Sequence, residues 1–246
     1  LAAPGASGML NPTVMDSEIV GEDFLDFKCP YCGALNSFPA SAAGLLRECM
    51  NCLEGFIVPA KDGGPALKFP LPYETPKIRL RRFEPTDWKG LLEFEFDDED
   101  KATSWLYEIS NARPTDLSKT FWLAIESFNS EKVIGSVGLD FTDAEFNQVR
   151  IYLSAGTLAK ASKLIPSAYR AALGFCFEKL QVHRVAASCN GQELETRESL
   201  IQSGLRQEAE FVKDQYVSDN WVSTFWFAML EEEFFEGTSA ESPKTS

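Results

Sequence analysis

The chain has 246 residues, 44% of them hydrophobic and 12% aromatic, which suits one medium domain with a smaller companion. A formal net charge of −14 repels a phosphate backbone and sets aside nucleic-acid and anionic-membrane partners. No apolar run approaches the ~18–20 residues that span a bilayer, and the first residues lack the basic start and apolar stretch of a secretory signal, so a soluble, cytoplasmic protein is expected.

Residues 1–22 show no periodicity and are expected to be a flexible lead. Residues 23–59 form a cysteine module. Cys29-Pro30-Tyr31-Cys32 and Cys49-Met50-Asn51-Cys52 are two C-x-x-C knuckles separated by sixteen residues. Two intervening residues let one tight turn present both sulfurs to a single ion, and Gly33 suits the turn behind the first pair. The spacing predicts a zinc ribbon with Cys29, Cys32, Cys49 and Cys52 as ligands. A thioredoxin-like redox pair accounts for only one C-x-x-C and needs a βαβ setting that this segment lacks. Four thiolates leave the zinc no open position, so its role is structural. Serine at one ligand position is expected to unfold the module and spare the larger domain. The ribbon's near-neutral charge favours a protein partner, or its own second domain, over DNA.

Residues 60–76 carry Gly63-Gly64-Pro65 and further prolines at Pro70, Pro72 and Pro76, and read as a semi-extended linker. The larger domain is expected over residues 77–235. Ile78 to Phe83 alternates as a strand, and Pro85-Thr86-Asp87 opens a helix before Trp88, followed by a second helix over 101–109. Strands follow at 120–126, 132–140 and 147–153, the last two joined through Asp143-Ala144-Glu145 as a hairpin. The strongest helix covers 166–180, with Ile165, Tyr169, Leu173, Cys176 and Leu180 on one face and Pro166 in the first turn. A strand at 184–188, a helix over 194–203 stopped by Gly204, and strands at 207–214 and 221–230 complete it. Residues 236–246 read as a disordered tail. Cys176 and Cys189 stand apart as inert core thiols. The acidic runs 93–100 and 231–236 are solvated faces or helix ends, with an acidic rim that attracts an amine as the sharper alternative.

Interleaved helices and strands give an α/β (α+β) class with one mixed sheet. Thr120-Phe121-Trp122-Leu123-Ala124-Ile125, Val133-Ile134-Gly135-Ser136-Val137-Gly138-Leu139 and Ile151-Tyr152-Leu153-Ser154 resemble the central strands of GNAT-superfamily N-acetyltransferases. The stretch from Phe175 through Leu180 to His183-Arg184-Val185, then Ser199 to Arg206 and Phe227-Ala228-Met229-Leu230, is similar to the ribosomal-protein N-terminal acetyltransferase branch. The resemblance covers residues 77–233 and implies a central mixed sheet flanked by helices. It implies acetyl-CoA as donor and a primary amine, on a protein N-terminus or a small molecule, as acceptor. It also implies donor contacts at Leu153 and at Ala159, Lys160, Ala161, Ser162 and Lys163, the segment opening the main helix, where such families bind a diphosphate on backbone N–H groups.

Five positions depart from that pattern. The family's two loop glycines correspond to Ala161 and Lys163, where side chains restrict φ, although Lys160 and Lys163 add positive charge. The strand glutamate that serves as base corresponds to Gln148, and the donor-contacting asparagine to Glu193, with Asn190 as the neighbour in a different register. His183, the only histidine, sits at a helix end and reads as structural. Leu200 stands where a tyrosine acid is often found, and Tyr152 and Tyr169 read as core aromatics. No catalytic residue is assigned. The function expected is acetyl transfer from acetyl-CoA to an amine with a degenerate donor loop; the alternative is a catalytically silent scaffold that docks proteins through its ribbon.

Overall fold

A computed structural model of the protein describes residues 23–110, 119–128, 132–142, 147–161 and 163–240. The expected flexible lead, the turn at 143–146, Ser162 and the end of the tail lie outside these residues. No helix among the described residues is long and apolar enough to cross a membrane.

The cysteine module is built from two hairpins. Strands β1 (Phe24–Lys28) and β2 (Leu35–Pro39) pair antiparallel around the first knuckle, and β3 (Leu46–Glu48) and β4 (Gly55–Ile57) around the second. Phe27, Phe38 and Phe56 meet at ring separations of 5.3–6.0 Å and form its core with Val58 and the buried Cys29 and Cys49.

Residues 60–76, read as a linker, are extended but not free. Strand β5 (Leu67–Lys68) pairs with β4, and β6 (Tyr73–Glu74) pairs with β7 (Ile78–Arg81) at the edge of the main sheet. Two-residue strands are too short to alternate, so the sequence carries no signal for them. Between them, Phe69 enters the main core against Phe121 and Phe175 at 5.5 and 5.8 Å, while its N–H donates to the Tyr31 hydroxyl at 2.9 Å. Leu46 of the ribbon belongs to the same core. The ribbon is therefore packed onto the larger domain.

After β7, a 3-10 turn (Pro85–Asp87) and α1 (Trp88–Leu91) lead into α2 (Glu99–Ser110). Strands β8 (Phe121–Ser127), β9 (Lys132–Phe141) and β10 (Gln148–Ala155) follow. A short helix α3 (Thr157–Ala161) then precedes α4 (Ile165–Gly174), which continues as a π turn over Phe175–Lys179. Strand β11 (Arg184–Asn190), helix α5 (Leu194–Gln202), strands β12 (Arg206–Val217) and β13 (Asn220–Leu230), and helix α6 (Glu231–Ala240) complete the chain. The tail expected to be disordered from 236 thus continues as helix to 240.

The sheet runs in the order β12-β13-β11-β10-β9-β8-β7-β6. Only β10 and β11 pair parallel; every other neighbouring pair is antiparallel. One face, carrying Phe121, Leu123, Val149, Ile151 and Val185, is covered by α4, whose predicted stripe from Ile165 to Leu180 is buried throughout. Alternation sends Trp122 to the other face, where it meets Trp105 of α2 at 5.6 Å. Helix α5 ends as predicted: the Gly204 N–H donates to the Ile201 carbonyl and the Leu205 N–H to that of Leu200. At the other end of the domain, Gly174 lets the Tyr73 ring lie directly on α4, and the Tyr73 hydroxyl donates to Glu178 at 3.1 Å. A Cβ at 174 would collide with that hydroxyl. The outer edge, β12, is broken by irregularities between Gln207 and Ala209 and between Phe211 and Gln215, with Lys213 at φ 52°.

Candidate functional site

The four knuckle cysteines converge. All their sulfurs lie within 4.8 Å of one another, with Cys29 and Cys52 Sγ 3.8 Å apart and Cys32 and Cys49 Sγ 3.7 Å apart. Zinc–thiolate bonds of about 2.3 Å place tetrahedral sulfurs about 3.8 Å apart, so the cluster has the dimensions of a four-thiolate zinc site. Donors needed by charged sulfurs are also in place. The Tyr31 and Asn51 N–H groups approach Cys29 and Cys49 Sγ at 3.4 Å each, and the Asn36 and Asn51 side-chain amides approach Cys49 and Cys32 Sγ at 3.6 Å.

The two knuckles share one backbone plan. Gly33 N–H donates to Cys29 O and Leu53 N–H to Cys49 O, both at 3.0 Å, with φ of 74° at Gly33 and 63° at Leu53. Only glycine holds that left-handed conformation without a Cβ penalty of about 1–2 kcal/mol. Leu53→Gly is therefore expected to stabilise the chain by about 1 kcal/mol, read as a higher denaturation midpoint at unchanged slope; an unchanged or lower midpoint would show the second knuckle to be unstrained.

Cys176 and Cys189 sit apart from this cluster and are buried. Burial pushes the Cys176 thiol up to about 12, and burial followed by the nearby Glu193 carboxylate pushes Cys189 up to about 11. Neither is a nucleophile near neutral pH.

A second site lies where the sheet opens. Strands β10 and β11 stay paired for three rungs, Gln148↔Arg184, Val149↔Val185 and Arg150↔Ala186, and part beyond them. Each then follows its other neighbour: β10 stays with β9 to Ala155↔Gly135, and β11 with β13 to Asn190↔Thr224. The carboxyl ends of two parallel strands thus diverge, the place where α/β sheets accept ligands.

Residues 156–164 leave the carboxyl end of β10 and carry the expected donor loop. Lys163 has φ 53°, the backbone conformation that glycine would supply at this position. Lys160 and Lys163 are exposed, Leu153 is half-buried, and Ala159 is buried in the core. The side chain of Ala161 and all of Ser162 lie outside the described residues. The amides fold inward: Lys160 N–H donates to Gly156 O, Lys163 N–H to Lys160 O and Leu164 N–H to Ala159 O, at 2.9–3.1 Å. Pro166 has no N–H to offer.

The remaining expected positions are dispersed. Gln148 is exposed on the closed rungs. Glu193 turns its carboxylate back onto the Asn190 N–H at 2.7 Å, and Asn190 Oδ1 accepts from the Gln192 N–H at 2.9 Å, so both serve the turn before α5. The His183 side chain is exposed, while its carbonyl accepts from the Glu231 N–H at 2.9 Å. Leu200 and Tyr169 are core residues. Tyr152, expected among them, instead lies half-buried on the face opposite α4 and donates to Asp140 Oδ2 at 3.1 Å. Asp140 Oδ1 accepts from the Thr120 hydroxyl at 2.9 Å, and Arg150 Nη1 donates to the Tyr152 hydroxyl at 3.3 Å. This polar row at the parting rung was open to sequence reasoning. Thr120, Asp140, Arg150 and Tyr152 occupy the strand positions that alternate with core residues, and a solvated face needs no such set.

The profile of the acetyltransferase (GNAT) domain matches residues 77–206. No curated protein matches the sequence. Among solved structures, a GNAT-family acetyltransferase from Bacillus anthracis superposes with a TM-score of 0.56 at 18% identity, over 65% of this chain and 98% of its own. A Vibrio cholerae protein assigned as a ribosomal-protein-serine acetyltransferase gives 0.52 at 13% identity, over 64% and 96%. A variant of the spermidine N-acetyltransferase from Vibrio cholerae gives 0.55 at 12% identity, over 67% and 99%.

Proposed function

The chain belongs to the GNAT acetyltransferase family, and we propose that it moves the acetyl group of acetyl-CoA to a primary amine. The parting of β10 and β11 beyond Arg150 carries this reading. Strands that leave their partner keep backbone N–H and C=O groups without ladder bonds. A pantetheine arm, with two amides of its own, suits such a slot as an added strand would. Lys160 and Lys163, exposed beyond the end of β10, supply charge for the diphosphate in place of glycine-loop amides. Gln148 cannot take a proton, so Asp140, beside Tyr152 at the parting rung, is the carboxylate that orders the incoming ammonium and receives its proton. The neutral amine then attacks the thioester carbonyl and the C–N bond forms; the C–S bond breaks, and the proton shed by the new amide nitrogen passes to the departing sulfur, so that CoA leaves as the thiol.

Cys29, Cys32, Cys49 and Cys52 are proposed to hold one zinc ion. A saturated thiolate site contributes folding energy and leaves no coordination position for chemistry. Four free thiols at a metal site suit a reducing compartment such as the cytoplasm.

One observation favours a second reading, a silent scaffold that docks proteins: the Lys160, Lys163 and Leu164 amides already donate to their own loop. Calorimetric titration with acetyl-CoA separates the two. Micromolar binding that Lys163→Glu weakens by about tenfold, or about 1.4 kcal/mol, is expected. No heat and no thermal shift at millimolar donor would leave the scaffold reading.

A further inference from the structure

We infer that the acceptor carries a carboxylate beside its primary amine, as an α-amino acid does, and lies between Asp140 and Arg150; this rests on the acyl-transfer reading above. Arg150 and Asp140 are direct cross-strand partners, yet they form no ion pair. Asp140 spends its two oxygens on the Thr120 and Tyr152 hydroxyls, and Arg150 donates from Nη1 to the Tyr152 hydroxyl at 3.3 Å. Arg79, Arg81, Arg184 and Arg206 each take a carboxylate partner. Arg197 is likewise half-buried without a described carboxylate, held by Gln207 and stacked over Phe225; Arg150 differs in having an unpaired carboxylate, Asp140, directly across on the adjoining strand.

Its placement ties it to the opening. The guanidinium lies 4.6 Å over the Trp226 ring, and Trp226 is the cross-strand partner of Ser188 on β11. Arg150 thus stretches from the last closed rung across β11, on the face that carries Asp140. An acid and a base are held two hydrogen bonds apart with a phenol between them. An ammonium suits the Asp140 side, and a planar carboxylate suits the guanidinium fork, which binds such groups edge-on through paired N–H donors. A polyamine would set a cation against Arg150, and an amine without an acid group would leave the fork unused.

The test compares L-alanine with L-alaninamide as acceptors for the full zinc-loaded chain, each at a pH giving the same fraction of free amine. The expected kcat/KM is about tenfold higher for L-alanine. Arg150→Met, which keeps an apolar arm on Trp226, should bring the two within about twofold, and Arg150→Lys should fall between. Asp140→Asn should lower both acceptors alike. Equal use of the two amines, or a preference that survives Arg150→Met, overturns the inference and leaves acyl transfer standing. Should acetyl-CoA fail to bind, acyl transfer falls. Ligand-observed NMR of the two amines then decides the recognition alone: L-alanine binding lost in Arg150→Met upholds it, and binding of neither amine, or of both equally, overturns it.

Discussion

Replacing Cys49 with serine, or stripping the metal with a chelator, is expected to melt residues 23–59 and to lower the melting temperature of the entire chain. The sequence alone suggested that the larger domain would be spared. Leu46 and Phe69, however, sit in the main core, and Phe69 touches Phe121 and Phe175 there. Structural zinc contributes an apparent ~10–16 kcal/mol in small zinc peptides. Apart from the metal, the module's own core is Phe27, Phe56 and Val58 with the partly buried Phe38 and small residues, too small to stand alone. Once it opens, each large side chain lost from the main core removes about 1.5–3 kcal/mol of burial. Circular dichroism melts, with zinc analysis giving one ion per chain, check this. Thiol titration adds a count: four cysteines react after stripping, and Cys176 and Cys189 only in denaturant. A metal-free preparation that melts like the wild type would remove the zinc proposal, and an unmoved second transition would show the modules to be uncoupled.

Glu126→Ala is expected to cost about 3 kcal/mol, since removing one member of a buried ion cluster strands its partners. Glu126 is 6% exposed and accepts from Arg79 Nη1 at 2.9 Å and from Arg81 Nε at 2.6 Å. Arg81 also donates to both oxygens of Asp87, at 2.8 and 3.0 Å, and these contacts hold its pKa above the ordinary guanidinium range. The retained Asp87 and Glu74 partners put the loss at the lower end of the range for a broken buried pair. Urea denaturation at neutral pH measures it. A loss below about 1 kcal/mol would mean that the cluster relaxes into water as exposed pairs do.

What the sequence discloses, and what it hides, follows from the range of the interaction. Strands such as 78–81 and helices such as 165–174 come from alternation or from a three-to-four spacing, and both are visible in the chain. The knuckles are local as well, so Cys29 to Cys52 could be assigned from spacing alone. The parting of β10 from β11 is set by which neighbour each strand prefers, and no single strand records that choice. Nor could the resemblance reveal that Glu193 caps its own turn or that the loop's N–H groups fold inward. The two short strands inside 60–76 exist only because β4 and β7 offer them an edge.

That arrangement of edges has a further consequence. At one end the main sheet finishes in β6, two residues long; at the other it finishes in β12, whose ladder is interrupted twice and whose backbone swings left-handed at Lys213. Fibril growth needs a long uninterrupted row of free amides as a template, and neither border provides one. Phe211, Val212 and Tyr216 can therefore stand in water without inviting a stranger's strand to zip alongside.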